Sequence, residues 1–216
     1  MVNKIYLKAV VFSLVFSLAG FFIINLIDSQ TILRLEDRVN ESALEAQESK
    51  LFFLLLNDAQ NKEVACSLIK QKIDLQFGRN AAFLSAIDEA NKSIFLKDFS
   101  LVKKNYFLAN AELYFLFKQA NEVCNEENEL ILFFYKDQKP LCADCLVQGK
   151  ILDEIRASCP NVKSFAFPVD LEIGVVDLFK SLHSFDGVPS IVINEQIVFE
   201  GLASKEKIMA EISCRA

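Results

Sequence analysis

The chain carries 216 residues, with 23 Lys and Arg against 29 Asp and Glu and a net charge of -6. No cluster of basic residues interrupts that acidity, which excludes a nucleic-acid binder, because phosphate affinity rests on concentrated Lys and Arg. The length admits an anchor and one or two small domains rather than a large enzyme, and a 52% hydrophobic composition, high for a soluble domain, points to a membrane segment.

That segment comes first. From Ala9 to Ile27, "AVVFSLVFSLAGFFIINLI" runs 19 residues without a charge, close to the ~20 that cross a hydrocarbon core as a helix. Lys4 and Lys8 precede it and Asp28 follows, so the positive-inside rule puts the N-terminus in the cytoplasm and everything after Asp28 outside. A cleavable signal peptide is the alternative, with Ser17 and Ala19 at a cleavage-like spacing, but the apolar run continues to Ile27. Either way the remainder is exported, to a compartment where disulfides persist.

Residues 29–125 contain one glycine, Gly78, and no proline, and are rich in Leu, Ala, Glu, Lys and Gln, a composition that predicts an all-α domain. Candidate helices run over 29–57, 62–77, 80–91 and 98–124. The run "LFFLLL", Leu51 to Leu56, is expected to be a helix segment buried all round, too short to span a bilayer. Cys66, Ile69, Ile73 and Phe77 share one helical stripe, and Leu113, Phe117, Ala120 and Cys124 another. Each cysteine therefore faces a helical core, either as a small buried hydrophobe or as half of a disulfide joining two helices; export favours the bridge.

From residue 126 the pattern alternates, and all four prolines fall at or after Pro140. "ELILFFYK" reads as a strand, Ala143 to Ser158 as a helix, "VKSFAFPVD" as a strand and Leu171 to Phe185 as a helix. "SIVIN" and "IVFE" then form two short strands about a Glu195-Gln196 turn, followed by a helix from Ser204. This order predicts an α/β domain, a small sheet with helices on both faces and its first two strands parallel.

Within "KPLCADCL", Cys142 and Cys145 stand just after a strand and at the first turn of a helix. Unpaired N–H groups and the positive end of the helix dipole favour a thiolate at Cys142, making it a nucleophile near neutral pH. Cys145, three residues on, is within reach to resolve a mixed disulfide. Haem attachment needs a His where Leu146 stands. A zinc site needs further ligands, yet the only His is His183, expected at a helix surface or end, and there is no second CxxC. Dithiol–disulfide exchange is the leading reading, with metal binding and a disabled redox relic or purely structural disulfide as the alternatives.

With "DGVPSIVIN" and "EGL" added, residues 128–213 resemble the thioredoxin superfamily: a strand, a CxxC at a helix start, then a Val-Pro pair opening an antiparallel hairpin. The resemblance implies a cis Pro189 beside the CxxC, a Val188 backbone that pairs with a bound peptide, and a Gly201 that leaves room for substrate. The chain departs from the family pattern in having Leu141 before the first cysteine, Ala143 and Asp144 between the two, and no Trp. The acid that relatives often bury under the CxxC is missing from "LILFFY", and the nearest, Asp137, is expected in an exposed loop. Lys139 favours a Cys142 thiolate and Asp144 opposes it, so both are candidate tuning residues. In a thioredoxin-like arrangement, Cys159 and Cys214 end neighbouring helices and either form a staple or leave a terminal thiol free.

These readings converge on a transmembrane anchor over 1–28, a helical domain over 29–125 and a thioredoxin-like domain over 126–216. The implied activity is thiol–disulfide exchange outside the cytoplasm, with no cofactor and no metal. Its partners would be cysteine-containing exported proteins, an unidentified redox partner and the membrane itself through residues 9–27. The alternative is a non-enzymatic anchored adaptor whose CxxC is a stable disulfide.

Overall fold

The structure, a computed structural model, describes residues 8, 12–22, 44, 47–56, 61–92, 100–137 and 142–215. It divides into two compact units, Met1–Lys50 and Leu51–Ala216. In the first, residues 12–22 and 47–50 are helical, and Phe12, Phe16, Leu18 and Phe22 are exposed. Among the described residues no helix is long and apolar enough to cross a membrane. Of the expected 9–27 segment, 9–11 and 23–27 lie outside the described residues, as does most of the helix expected over 29–57.

The second unit contains helices α1 (Lys62–Lys92) and α2 (Ser100–Cys124), strand β1 (Glu129–Tyr135) and helix α3 (Ala143–Ser158). Strand β2 (Val162–Pro168), helix α4 (Gly174–His183), strands β3 (Ser190–Ile193) and β4 (Ile197–Glu200), and helix α5 (Lys205–Met209) complete it. Asn61 starts α1 by accepting the Glu63 N–H at 2.9 Å on its side-chain oxygen, which satisfies one of the donors a helix leaves open at its first turn. The break expected near Gly78 does not occur. A glycine inside a helix costs about 1 kcal/mol, and packing on both sides of Gly78 outweighs that: Ile73, Gln76, Asn80 and Phe83 are all buried. α2 runs back along α1, with Gln76 Nε2 donating to the Ala109 carbonyl at 3.0 Å and Glu112 paired with both Lys72 and Arg79. Cys66 and Cys124 form a disulfide across the ends of this hairpin.

Residues 51–56 are helical but not buried all round. Phe52, Phe53 and Leu56 pack against the core, whereas Leu51, Leu54 and Leu55 are exposed. Among the described residues, one face of that turn packs on the core.

β1 organises the sheet. Its side chains alternate between two cores: Leu130, Leu132 and Phe134 face one, Ile131 and Phe133 the other, as a strand covered on both faces requires. The order is β2-β1-β3-β4. β1 and β2 are parallel, Glu129 opposite Val162, while β1 and β3 are antiparallel, Phe134 opposite Ser190. α2 and α4 cover the first face, where Tyr114, Phe134 and Phe167 all meet the Phe179 ring. α3 and α5 cover the second with Leu152, Ile155 and Ile208. The α1–α2 hairpin therefore shares its core with the sheet, because α2 contributes to both.

A polar tie fastens α2 to the β3–β4 turn. Asn194 and Glu195 adopt φ of 49° and 59°, a left-handed conformation that is costly for a side chain as large as Glu. Glu195 is held there by the Tyr114 hydroxyl at 2.6 Å and by Lys118 at 2.7 Å. Burial opposes its ionisation, but the bonds from Lys118 and Tyr114 win, and its carboxyl is held below the ordinary Glu range. The nearby His183 is also pushed down, by burial. Both groups thus take up protons less readily in the folded chain. Stability is full above their unfolded values and falls as pH drops through the folded ones. Urea midpoints are expected to decline from pH 7 towards pH 3, with Glu195→Gln flattening the part of the decline below about pH 4.3; an identical acid limb in that variant would contradict the assignment.

Candidate active site

β1 ends at Tyr135 and α3 begins at Ala143; Lys139, the expected thiolate-favouring cation, lies outside the described residues. Cys142 is the N-cap of α3, and its Sγ accepts the Cys145 backbone N–H at 3.2 Å. A Ser or Asp side chain usually occupies that role. Here sulfur does, at the end of the helix where N–H groups and dipole stabilise negative charge. Cys142 and Cys145 are joined, with Cα atoms 5.3 Å apart. Their burial differs: Cys145 is 5% exposed and sits in the core with Ile131 and Phe133, while Cys142 packs only at its edge. Cys142 is therefore the more accessible residue of the pair. Asp144, in the first turn of α3, is exposed.

The register brings a second segment to the same end of the sheet. Because Ser190 pairs with Phe134 near the end of β1, the residues before β3 lie beside those that lead into α3. The Val188-Pro189 bond is cis, and Val188 packs against both cores. This segment is tied down on each side. The Ser190 hydroxyl donates to the Gly187 carbonyl at 2.8 Å, the Gly187 N–H donates to the Glu200 carboxylate, and the Gly201 N–H donates to the Pro189 carbonyl at 2.8 Å. Gly201 has φ 84° and open space where a Cβ would stand. Glycine suits it on both counts.

Three residues stand differently from expectation or escaped it. Asp137 is not in an exposed loop: its carboxylate is half-buried and paired with Lys103 of α2, and its backbone N–H donates to Asp170 at 2.9 Å. The nearest acid upstream of the CxxC is thus committed to holding the strand end against α2. Gln148, one turn beyond Cys145, is fully buried, and its Oε1 accepts the Ala203 N–H at 2.8 Å, which fixes the chain after Gly201 against α3. A polar residue on the stripe of Cys145, Leu152 and Ile155 was its only signal in the sequence. Glu200, which positions Gly187, gave none. His183 ends α4, half-buried.

Cys159 caps the far end of α3, fully buried, and is bonded to Cys214. The 16 residues of α3 put this staple about 24 Å from Cys142 at 1.5 Å per residue. It fastens the C-terminal tail, together with Asn161 Nδ2 donating to the Ser213 carbonyl at 2.7 Å and the Ser213 N–H donating to Glu129 at 3.0 Å.

No protein-family model and no curated protein matches the chain. Among solved structures it is similar to a malarial protein, at 13% identity and a TM-score of 0.33 over 39% of this chain and 92% of that one. It is also similar to chloroplastic thioredoxin z, at 22% identity and a TM-score of 0.33 over 44% of this chain and 82% of that one.

Proposed function

We propose that the chain is a membrane-tethered thiol–disulfide oxidoreductase acting outside the cytoplasm. Residues 126–216 form a thioredoxin-like domain, 29–125 a helical domain and 1–28 the anchor. The observation that carries the reading is the Cys142 sulfur at the start of α3, bonded to Cys145 and accepting its N–H. In the reduced pair, the Cys142 thiolate attacks one sulfur of a substrate disulfide and displaces the other as a thiolate, which takes a proton from solvent. Cys145, deprotonated, then attacks the Cys142 sulfur and releases the second substrate thiol, leaving the Cys142–Cys145 disulfide. Two electrons pass to the substrate, and the reverse sequence oxidises it. The Val188-Pro189 segment and the open side of Gly201 receive the substrate chain. Substrates are cysteine-containing exported proteins, and a separate redox partner resets the couple. The anchor reading draws on the uncharged run from Ala9 to Ile27 and on the exposure of Phe12, Phe16 and Phe22 along the helical part of it.

Equilibration of the full chain against defined glutathione ratios tests the proposal. The pair is expected to titrate reversibly between about -120 and -270 mV, the range of exchange-active couples, and Cys145→Ser to accumulate mixed disulfides through Cys142. A pair still oxidised below about -300 mV, with nothing trapped by Cys145→Ser, would leave a structural disulfide on an anchored adaptor.

A further inference from the structure

We propose that Gln148 is the group that stabilises the Cys145 thiolate, its Nε2 donating to the Cys145 sulfur once the bond to Cys142 opens. The inference rests on the exchange reaction proposed above and names a residue that tunes its second sulfur. Gln148 is fully buried in α3, where a polar side chain is costly unless its hydrogen bonds are met. One end is met. Its Oε1 accepts the Ala203 N–H at 2.8 Å, and since only the amide oxygen can accept that proton, the same bond fixes which end is nitrogen. The Nε2 has no partner among the described residues.

The position of that spare donor says what it serves. Gln148 follows Cys145 by three residues, and helical side chains lean towards the N-terminus, so its amide lies over the turn that carries Cys145. Ala203, which holds the amide oxygen, packs in the same core as Cys145, with Ile131 and Phe133. In the closed disulfide the Cys145 sulfur is bonded to Cys142 and needs no donor. Other polar groups of this end are engaged elsewhere or neutral. Asp144 is exposed, Asp137 is paired with Lys103, Glu200 accepts the Gly187 N–H and Lys205 of α5 is paired with Glu154. Tyr135, which packs against the same core, is kept protonated by burial and by the nearby Asp137 charge.

Exchange creates the demand for it. When a substrate thiolate attacks Cys142, a substrate–Cys142 bond forms, the Cys142–Cys145 bond breaks and its electron pair leaves on the Cys145 sulfur. In the opposite direction Cys145 gives its proton to water, attacks Cys142 and releases the substrate sulfur as a thiolate. Either way a charged sulfur stands in a residue that is 5% exposed, and a charge taken out of water is costly unless it is hydrogen-bonded. Gln148 itself exchanges no proton. An amide N–H bonded to the thiolate favours the charged form, which makes Cys145 a better leaving group and raises its thiolate fraction at neutral pH.

The test follows the Cys145 thiolate by its ultraviolet absorbance in the full chain carrying Cys142→Ser, with the other two disulfides intact, so that no exchange activity is needed. Gln148→Met removes the donor and keeps an unbranched side chain; the Cys145 pKa is expected to rise by about one unit, a roughly tenfold smaller thiolate fraction at neutral pH. Gln148→Glu keeps an oxygen for the Ala203 N–H but puts a carboxylate where the donor was, and is expected to raise the pKa at least as far. The Cys142 thiolate, read in Cys145→Ser, is expected to titrate alike with and without Gln148→Met, because that sulfur depends on the start of α3. A Cys145 titration unmoved by either variant, or a shift of Cys142 as large as that of Cys145, would overturn the assignment and leave Gln148 as a tie to Ala203. Failure of Cys145→Ser to trap a substrate would overturn the exchange reading instead, and the titrations still decide the hydrogen bond.

Discussion

Replacing Cys142 with Ser is expected to reduce exchange to the rate of the uncatalysed thiol reaction, a loss of roughly 10³-fold or more. The hydroxyl would still fit the N-cap and accept the Cys145 N–H, so α3 keeps its start, but it does not ionise near neutral pH and forms no bond to substrate sulfur. Cys145→Ser behaves differently. It leaves the attacking sulfur in place beneath the same helix terminus, so the first attack survives and only release of the mixed disulfide fails. The asymmetry follows from burial, since Cys145 is enclosed with Ile131 and Phe133 while Cys142 sits at the edge of that core. Following the full chain on a self-quenched glutathione disulfide separates the two variants: Cys142→Ser shows no release of fluorescence, Cys145→Ser a single burst without turnover. Equal behaviour of both would mean that the order of attack is not set by the α3 terminus.

How much of this was legible beforehand depended on the range of the interactions involved. β1 and α3 were readable because their signals are local: a seven-residue apolar run, and a helix bounded by Cys142 and the Cys159-Pro160 stop. Gly78 misled because a helix breaker is also a local signal, and the long α1 is decided by contacts with α2 that no window contains. Leu51 to Leu56 misled for the opposite reason. Its composition demanded burial, but among the described residues Phe52, Phe53 and Leu56 pack on the core while Leu51, Leu54 and Leu55 are exposed. Asp137 looked like a loop residue because its partner, Lys103, lies 34 positions away on another helix. The ties through Gln148, Glu200 and Glu195 are of the same kind, side chains whose acceptors and donors meet only after the sheet has formed.

Removing the Cys66–Cys124 bridge by the double substitution Cys66→Ala, Cys124→Ala is expected to cost roughly 4 kcal/mol of stability, the loop-closure value for a separation of 58 residues. The position of the bridge makes the full value attainable. α1 reaches the rest of the unit chiefly through α2, and the disulfide joins the start of α1 to the end of α2, across the open end of their hairpin. Without it, that end is held by Ile69 and Ile73 in the core and by the ion pair of the exposed Lys70 with the half-buried Glu126, of which the ion pair is worth at most about 1 kcal/mol. Urea unfolding of the oxidised full chain measures the difference, and a loss under about 1 kcal/mol would mean that the α1–α2 packing already restricts the hairpin as tightly as the bond does. The exchange rate of Cys142 in the same variant then decides how the two halves are coupled. α2 shares the core beneath β1, and through Lys103 it holds Asp137, five residues before Cys142. If α1 loosens while α2 stays on the sheet, stability falls and the rate is retained. If the rate falls in proportion, the hairpin acts as part of the frame that positions Cys142.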